Sequence, residues 1–86
     1  MEYNRNLIVD TTKSGYYLST PEDLLCDGYG KVTFLMNRPV EMVYDFIVYA
    51  LKVDLEVHIV TQTDAYPIID TNDLKQVYQI LEMLAD

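Results

Sequence analysis

Apolar residues recur along this chain in two rhythms, one suited to strands and one to helices. Asn6 to Thr12 carries Leu7, Ile8 and Val9 at its centre and is expected to form a first strand. Lys31 to Met36 places Val32, Phe34 and Met36 on one face and Leu35 on the other, the pattern expected of an interior strand covered on both faces. Leu55 to Thr61 alternates cleanly, with Leu55, Val57 and Ile59 opposed to Glu56, His58 and Val60. A helical period governs Thr71 to Ala85, where Leu74, Val77, Tyr78, Leu81 and Leu84 share one face and Lys75, Gln76, Gln79 and Glu82 the other.

Punctuation residues divide these segments. Lys13-Ser14-Gly15 is turn chemistry, after which Tyr16-Tyr17-Leu18 is expected to pair back as a short hairpin arm. Thr20 can cap a helix that opens on Pro21, Glu22 and Asp23, and Asp27-Gly28-Tyr29-Gly30 stops it within about two turns. Asn37-Arg38-Pro39 starts a long helix to about Val53, with Pro39 as its first helical residue. Tyr66-Pro67-Ile68-Ile69 suits an edge strand, because Pro67 has no amide for a central ladder. Asp70 or Thr71 would cap the last helix, whose first turn holds Asp73.

The expected order is β-(β)-α-β-α-β-(β)-α. This is an α/β or α+β fold of three to five strands with about three helices, in one domain spanning residues 1–86. Strand 31–36, helix 39–53 and strand 55–61 have the length of a right-handed βαβ crossover. The direction of the first strand relative to the others stays open at this level.

The helix 39–53 stands out for its breadth of apolar surface. Glu41, Asp45 and Lys52 fall in one stripe, while Val40, Met42, Val43, Phe46, Ile47, Ala50, Leu51 and Val53 fill an arc of roughly 220° at about 100° per residue. Either the helix is central, packed on the sheet and a neighbouring helix together, or one flank serves a homodimer or partner. Tyr44, Asp45, Val48 and Tyr49 are the residues expected on such a flank.

Charge changes the picture of what the domain would meet. Fourteen acids and six bases give a net charge of −8. Residues 1–43 hold six acids and four bases, and residues 44–86 eight acids and two bases, so the excess lies in the second half. Phosphate backbones repel such a chain, which argues against direct binding of nucleic acid or anionic membrane. A basic protein partner is compatible with the charge, as is plain solubility. No apolar run approaches a membrane span, and the opening MEYNRNLIVD has neither the basic stretch nor the apolar run of a signal peptide. Cys26 is the single cysteine, so no internal disulfide can form, and a reducing cytoplasm is the expected compartment.

No phosphate loop, dinucleotide fingerprint or paired metal ligands occur, and no cofactor or metal is expected. His58 beside Glu56 has the composition of a general base, and Cys26 with His58 that of a nucleophile pair if the fold joined them; an ordinary hydrogen-bonded His and a packed Cys are the simpler readings. If the three main strands run parallel, Asp10-Thr11-Thr12, Asn37-Arg38 and Thr61-Gln62-Thr63-Asp64 would gather at one edge, where open α/β sheets bind ligands. Eight tyrosines and no tryptophan form the most distinctive compositional feature. Tyr16, Tyr17 and Tyr29, beside Glu22, Asp23 and Asp27, make a candidate partner-binding patch: tyrosine supplies contact area at low entropic cost, and carboxylates recruit Lys or Arg.

In size, charge and aromatic content the chain resembles small intracellular inhibitors such as immunity proteins, antitoxins and phage anti-defence proteins. That resemblance is compositional and covers no motif. It implies a stoichiometric antagonist, not an enzyme, that occupies the cationic surface of a basic, nucleic-acid-handling protein as a nucleic-acid mimic. Two other classes remain open: an assembly subunit dimerising through helix 39–53, and a small ligand-binding or enzymatic domain using the strand-end loops.

Overall fold

In a computed structural model, which describes residues 4–84, the chain forms β1 (Arg5–Asp10), α1 (Pro21–Cys26), β2 (Tyr29–Leu35), α2 (Glu41–Lys52), β3 (Glu56–Val60), β4 (Ala65–Ile68) and α3 (Thr71–Leu84). The four strands lie in the order β1-β2-β3-β4. β1, β2 and β3 are parallel, with Leu7 beside Val32, Val9 beside Phe34, and Phe34 beside Ile59. β4 closes the other edge antiparallel to β3, with His58 opposite Pro67. The direction of β1 is thereby decided.

Two successive crossovers of one hand place α1 and α2 over the same face of the sheet. Val9, Val32, Phe34, Val57, Ile59 and Ile68 point into that layer and are buried, as are Leu24 of α1, Val43, Ile47 and Ala50 of α2, and Leu74, Val77 and Leu81 of α3. All of them belong to one core cluster. The opposite face bears the alternate residues, with Ile8, Glu56, Ala65 and Pro67 exposed. It is a two-layer domain with one bare sheet face, so β2 is interior in the sheet but is not covered on both faces as expected: Leu35 is half-buried on the side without helices.

The broad apolar arc of α2 follows from its central place. Val43, Phe46, Ile47 and Ala50 face the sheet and are buried. On one flank Tyr44 meets Tyr78 of α3 edge to face, with centroids 5.5 Å apart, a geometry favoured by the ring quadrupoles. α1 lies along the other flank. Val48, Leu51 and Val53 are half-buried against the same core. Central packing therefore accounts for most of the arc and leaves Met42 and Tyr49 as its exposed large side chains.

Several local expectations hold. Thr20 caps α1 by accepting from the Asp23 amide at 3.2 Å, with Pro21 opening the helix. Asp70 caps α3 by accepting from the amides of Asn72 and Asp73, while the Asp73 carboxylate accepts from the Ile69 amide. These bonds satisfy amides that lack partners at a helix start.

Two expectations fail. Tyr16-Tyr17-Leu18 forms no strand: Tyr16 and Leu18 pack against the core and Tyr17 points outward, so this extended segment runs to α1 instead of pairing with β1. The preceding turn is committed elsewhere, since the Thr11 amide and hydroxyl both bond the Leu35 carbonyl. The second helix begins at Glu41, not at Pro39. Val40 is its extended N-cap without a side-chain cap, and its carbonyl accepts from the Val43 and Tyr44 amides and from the Tyr78 hydroxyl. That last donor comes from the far end of the sequence, which local pattern does not show.

Candidate functional site

Met42, Asp45, Phe46 and Tyr49 stand at i, i+3, i+4 and i+7 of α2 and so form one stripe. The stripe faces the entry to α1, where Leu18, Ser19, Thr20, Pro21 and Glu22 complete an open groove of about 470 Å³. Pro21 is buried there because it opens α1 against α2, and Leu18 is half-buried just ahead of it. The floor is apolar. The rim carries the carboxylates of Glu22 and Asp45, both exposed. Met42 is 67% and Tyr49 47% exposed, although both belong to the helix that supplies the centre of the core.

Glu22 and Tyr49 both line this groove. Hydrogen bonding to the Glu22 carboxylate, and then the like charge a phenolate would meet there, raise the Tyr49 pKa above the ordinary phenol value. Among the described residues that line it the groove has two carboxylates and no Lys or Arg, so a negative rim borders its apolar floor.

The anticipated tyrosine and carboxylate patch is divided by the fold. Glu22 lines the groove, with Asp23 exposed beside it in the first turn of α1. Asp27, the C-cap of α1, and Tyr29, the first residue of β2, meet Arg5: its guanidinium lies 4.3 Å from the Tyr29 ring centroid, donates to the Asp27 carbonyl at 2.8 Å and reaches the Tyr29 hydroxyl at 3.1 Å. This contact anchors β1 to β2 and occupies the ring face. Tyr16 and Tyr17 instead border a hollow of about 430 Å³ with Leu7–Asp10 of β1 and the turn 13–15. Of the α2 flank residues, Asp45 and Tyr49 line the groove, Tyr44 is engaged with Tyr78, and Val48 is half-buried. Leu18, Pro21, Met42 and Phe46 were not anticipated as site residues. The stripe 42–45–49 was readable, but only the position of α1 makes it a groove.

The strand-end loops do gather, because β1, β2 and β3 are parallel. Asp10, Thr12, Leu35, Met36, Asn37, Val60, Thr61 and Gln62 surround a hollow of about 380 Å³. Arg38 and Asp64 do not line it. Its polar groups are largely consumed by the loops themselves. The Asp10 carboxylate accepts from the Thr12 amide and hydroxyl, which holds its pKa below the ordinary carboxylate value, and pairs with Lys13 at 3.9 Å. The Thr61 hydroxyl accepts from the Thr63 and Asp64 amides. Such bonds are ordinary turn chemistry.

Cys26 ends α1 in the helix layer, whereas His58 points from β3 to the bare sheet face, so the sheet separates them. His58 Nε2 lies 3.4 Å from the Glu56 carboxylate, which also pairs with Lys31 at 3.7 Å. The Lys31–Glu56 ion pair is solvent-exposed and of small energetic weight. Among the described residues no three His, Cys, Asp or Glu side chains converge on a metal position, and no helix is long and apolar enough to cross a membrane. Comparison with protein-family models, curated proteins and solved structures finds no match to this chain.

Proposed function

We propose that this domain acts by binding a basic protein, with the groove between α1 and α2 as its contact surface. The observation that carries the reading is the composition of that groove: an apolar floor of Leu18, Pro21, Met42 and Phe46 between the carboxylates of Glu22 and Asp45, in a chain of net charge −8. A partner loop or helix would seat an apolar anchor on the floor and place Lys or Arg against the rim. Tyr49 would supply contact area that loses little side-chain entropy on binding. The excess negative charge would speed encounter with a cationic surface and, once bound, cover it. Stoichiometric antagonism of a nucleic-acid-handling protein is the form of action that fits such masking.

Affinity capture from the native host, with the wild type and a Glu22→Lys/Asp45→Lys variant in parallel, tests this. The expected partner is basic, is lost by the double variant, and is retained when Glu82, exposed on α3 outside the groove, is reversed to Lys. Calorimetry with the purified partner should then show affinity that weakens as salt rises. A partner that binds wild type and double variant alike, or one whose affinity ignores salt, overturns the proposal.

A further inference from the structure

Glu41, Tyr44 and Asp45 stand at i, i+3 and i+4 of α2 and so share one face of its first turns. Pro39 ahead of the helix and Tyr78 of α3 complete a second open hollow there, of about 470 Å³. Asp45 borders both this hollow and the groove, so the two adjoin along α2. The walls are of two kinds. Tyr44 and Tyr78 are half-buried rings at an interplanar angle of 71°, and an edge-to-face pair covers one ring face while leaving others open to further contact. Glu41 and Asp45 are exposed carboxylates without an ion pair among the described residues, whereas Asp10 and Glu56 each have one. Arg38, next to Pro39, and Lys75, one turn ahead of Tyr78, are exposed and do not line the hollow.

We propose that this hollow binds an arginine side chain presented by a protein partner. The assignment rests on the reading of the adjoining groove as a contact for a basic protein and names the group that the partner must supply. Ring faces attract a cation through their quadrupole, and the two carboxylates supply countercharge. A guanidinium meets both needs at once: its plane stacks on a ring while its N–H fork bonds a carboxylate. An ammonium is a point charge without that plane. The chain uses the same combination internally, where the Arg5 guanidinium lies 4.3 Å from the Tyr29 ring centroid and donates to the Asp27 carbonyl at 2.8 Å. In the hollow the rings and acceptors belong to this chain, and the guanidinium would come from the partner. A basic segment lying across the first half of α2 would then set an arginine beside Glu41 and Asp45 and an apolar residue on the groove floor.

NMR titration of the intact chain with N-acetyl-arginine N-methylamide, at constant ionic strength, provides the test. The ring signals of Tyr44 and Tyr78 should shift and saturate, and the lysine analogue should bind several-fold more weakly. Glu41→Gln/Asp45→Asn should weaken arginine binding about tenfold, the loss of two exposed ion pairs. Tyr44→Leu should erase the preference for arginine over lysine. Tyr78→Phe, which keeps the ring, and Glu22→Gln, which lies in the groove alone, should bind as the wild type does. Unmoved tyrosine rings overturn the proposal, as do equal binding of the lysine analogue and binding that ignores Glu41→Gln/Asp45→Asn.

Partner capture separates this proposal from the reading on which it rests, because Glu22 lines only the groove and Glu41 only the hollow. A partner lost by Glu22→Lys and retained by Glu41→Lys sinks the arginine site and spares the groove. The reverse result spares the arginine site and sinks the groove.

Discussion

The Tyr78 hydroxyl donates a 2.7 Å hydrogen bond to the Val40 carbonyl, tying the third helix to the N-cap of the second across 38 residues. The ring packs edge-on against Tyr44, one turn into α2. A single side chain thus bridges the start of α2 and the face of α3. Tyr78→Phe keeps the ring and removes the bond. The Val40 carbonyl retains the Val43 and Tyr44 amides at 3.1 and 3.2 Å, so the expected loss is about 1 kcal/mol, seen as a lower denaturation midpoint with unchanged slope.

Alkaline pH offers a second reading of the same residue. Burial pushes the Tyr78 phenol well above its ordinary value of 10.0. The unfolded chain can ionise this tyrosine near pH 10 and the folded chain cannot. Its contribution is therefore complete below pH 10 and is lost as pH rises beyond it. Unfolding free energy followed across that range should fall less steeply in Tyr78→Phe than in the wild type.

Asp54 leaves α2 with φ of 63°. Its amide donates to Leu51 and the next amide, of Leu55, to Ala50, the paired bonds of a helix end that normally uses glycine. An aspartate here adds negative charge at the negative pole of the helix. Asp54→Gly removes both penalties at the cost of a more flexible unfolded chain, and should raise stability by about 0.5–1 kcal/mol. Asp54→Val should lower it by a similar amount or more, because a β-branched side chain resists this conformation. Thermal midpoints of the two variants decide.

The two sides of α2 should respond differently to truncation. Ile47 is fully buried and Met42 is 67% exposed. Ile47→Ala is expected to cost about 2–5 kcal/mol, a large share of what an 86-residue domain possesses. Met42→Ala should stay within about 0.5 kcal/mol and weaken binding to a basic partner. Chemical denaturation measures the first pair of values, and calorimetry the second.

Glu22→Ala removes the acceptor and the negative charge that Tyr49 faces. The Tyr49 pKa should then fall towards 10.0, as read from the ring carbon shifts in an NMR titration. Because the folded-state value is raised, the favourable effect of Glu22 on the neutral Tyr49 hydroxyl is present below pH 10 and is lost as the hydroxyl ionises. A Tyr49 that titrates identically in both proteins would separate the two side chains and remove one wall of the proposed groove.

Elements whose cause is local were legible in the residues themselves. Thr20-Pro21 marked the start of α1, Asp70 with Asp73 the start of α3, and Pro67 an edge strand, since caps and missing amides act within a few residues. Alternation at 55–60 and helical spacing at 71–84 identified inner faces on which Leu55, Val57, Ile59, Leu74, Val77 and Leu81 are buried and Tyr78 half-buried, while Leu84, expected on the same face, is 48% exposed in the last turn. Long-range contacts decided the rest. The N-cap carbonyl of Val40 takes an added bond from distant Tyr78, and Tyr16–Leu18 stayed out of the sheet because Thr11 ties the chain to Leu35 and Tyr16 and Leu18 pack on the core. Arg5, remote in sequence from Asp27 and Tyr29, bonds the Asp27 carbonyl and covers the Tyr29 ring, and so withdraws that ring from a patch that looked continuous along the chain. Periodicity records which side of a segment turns inward. Which segments become neighbours depends on chain crossings and packing between distant residues, and that is where the groove between Glu22, Asp45 and Tyr49 arose.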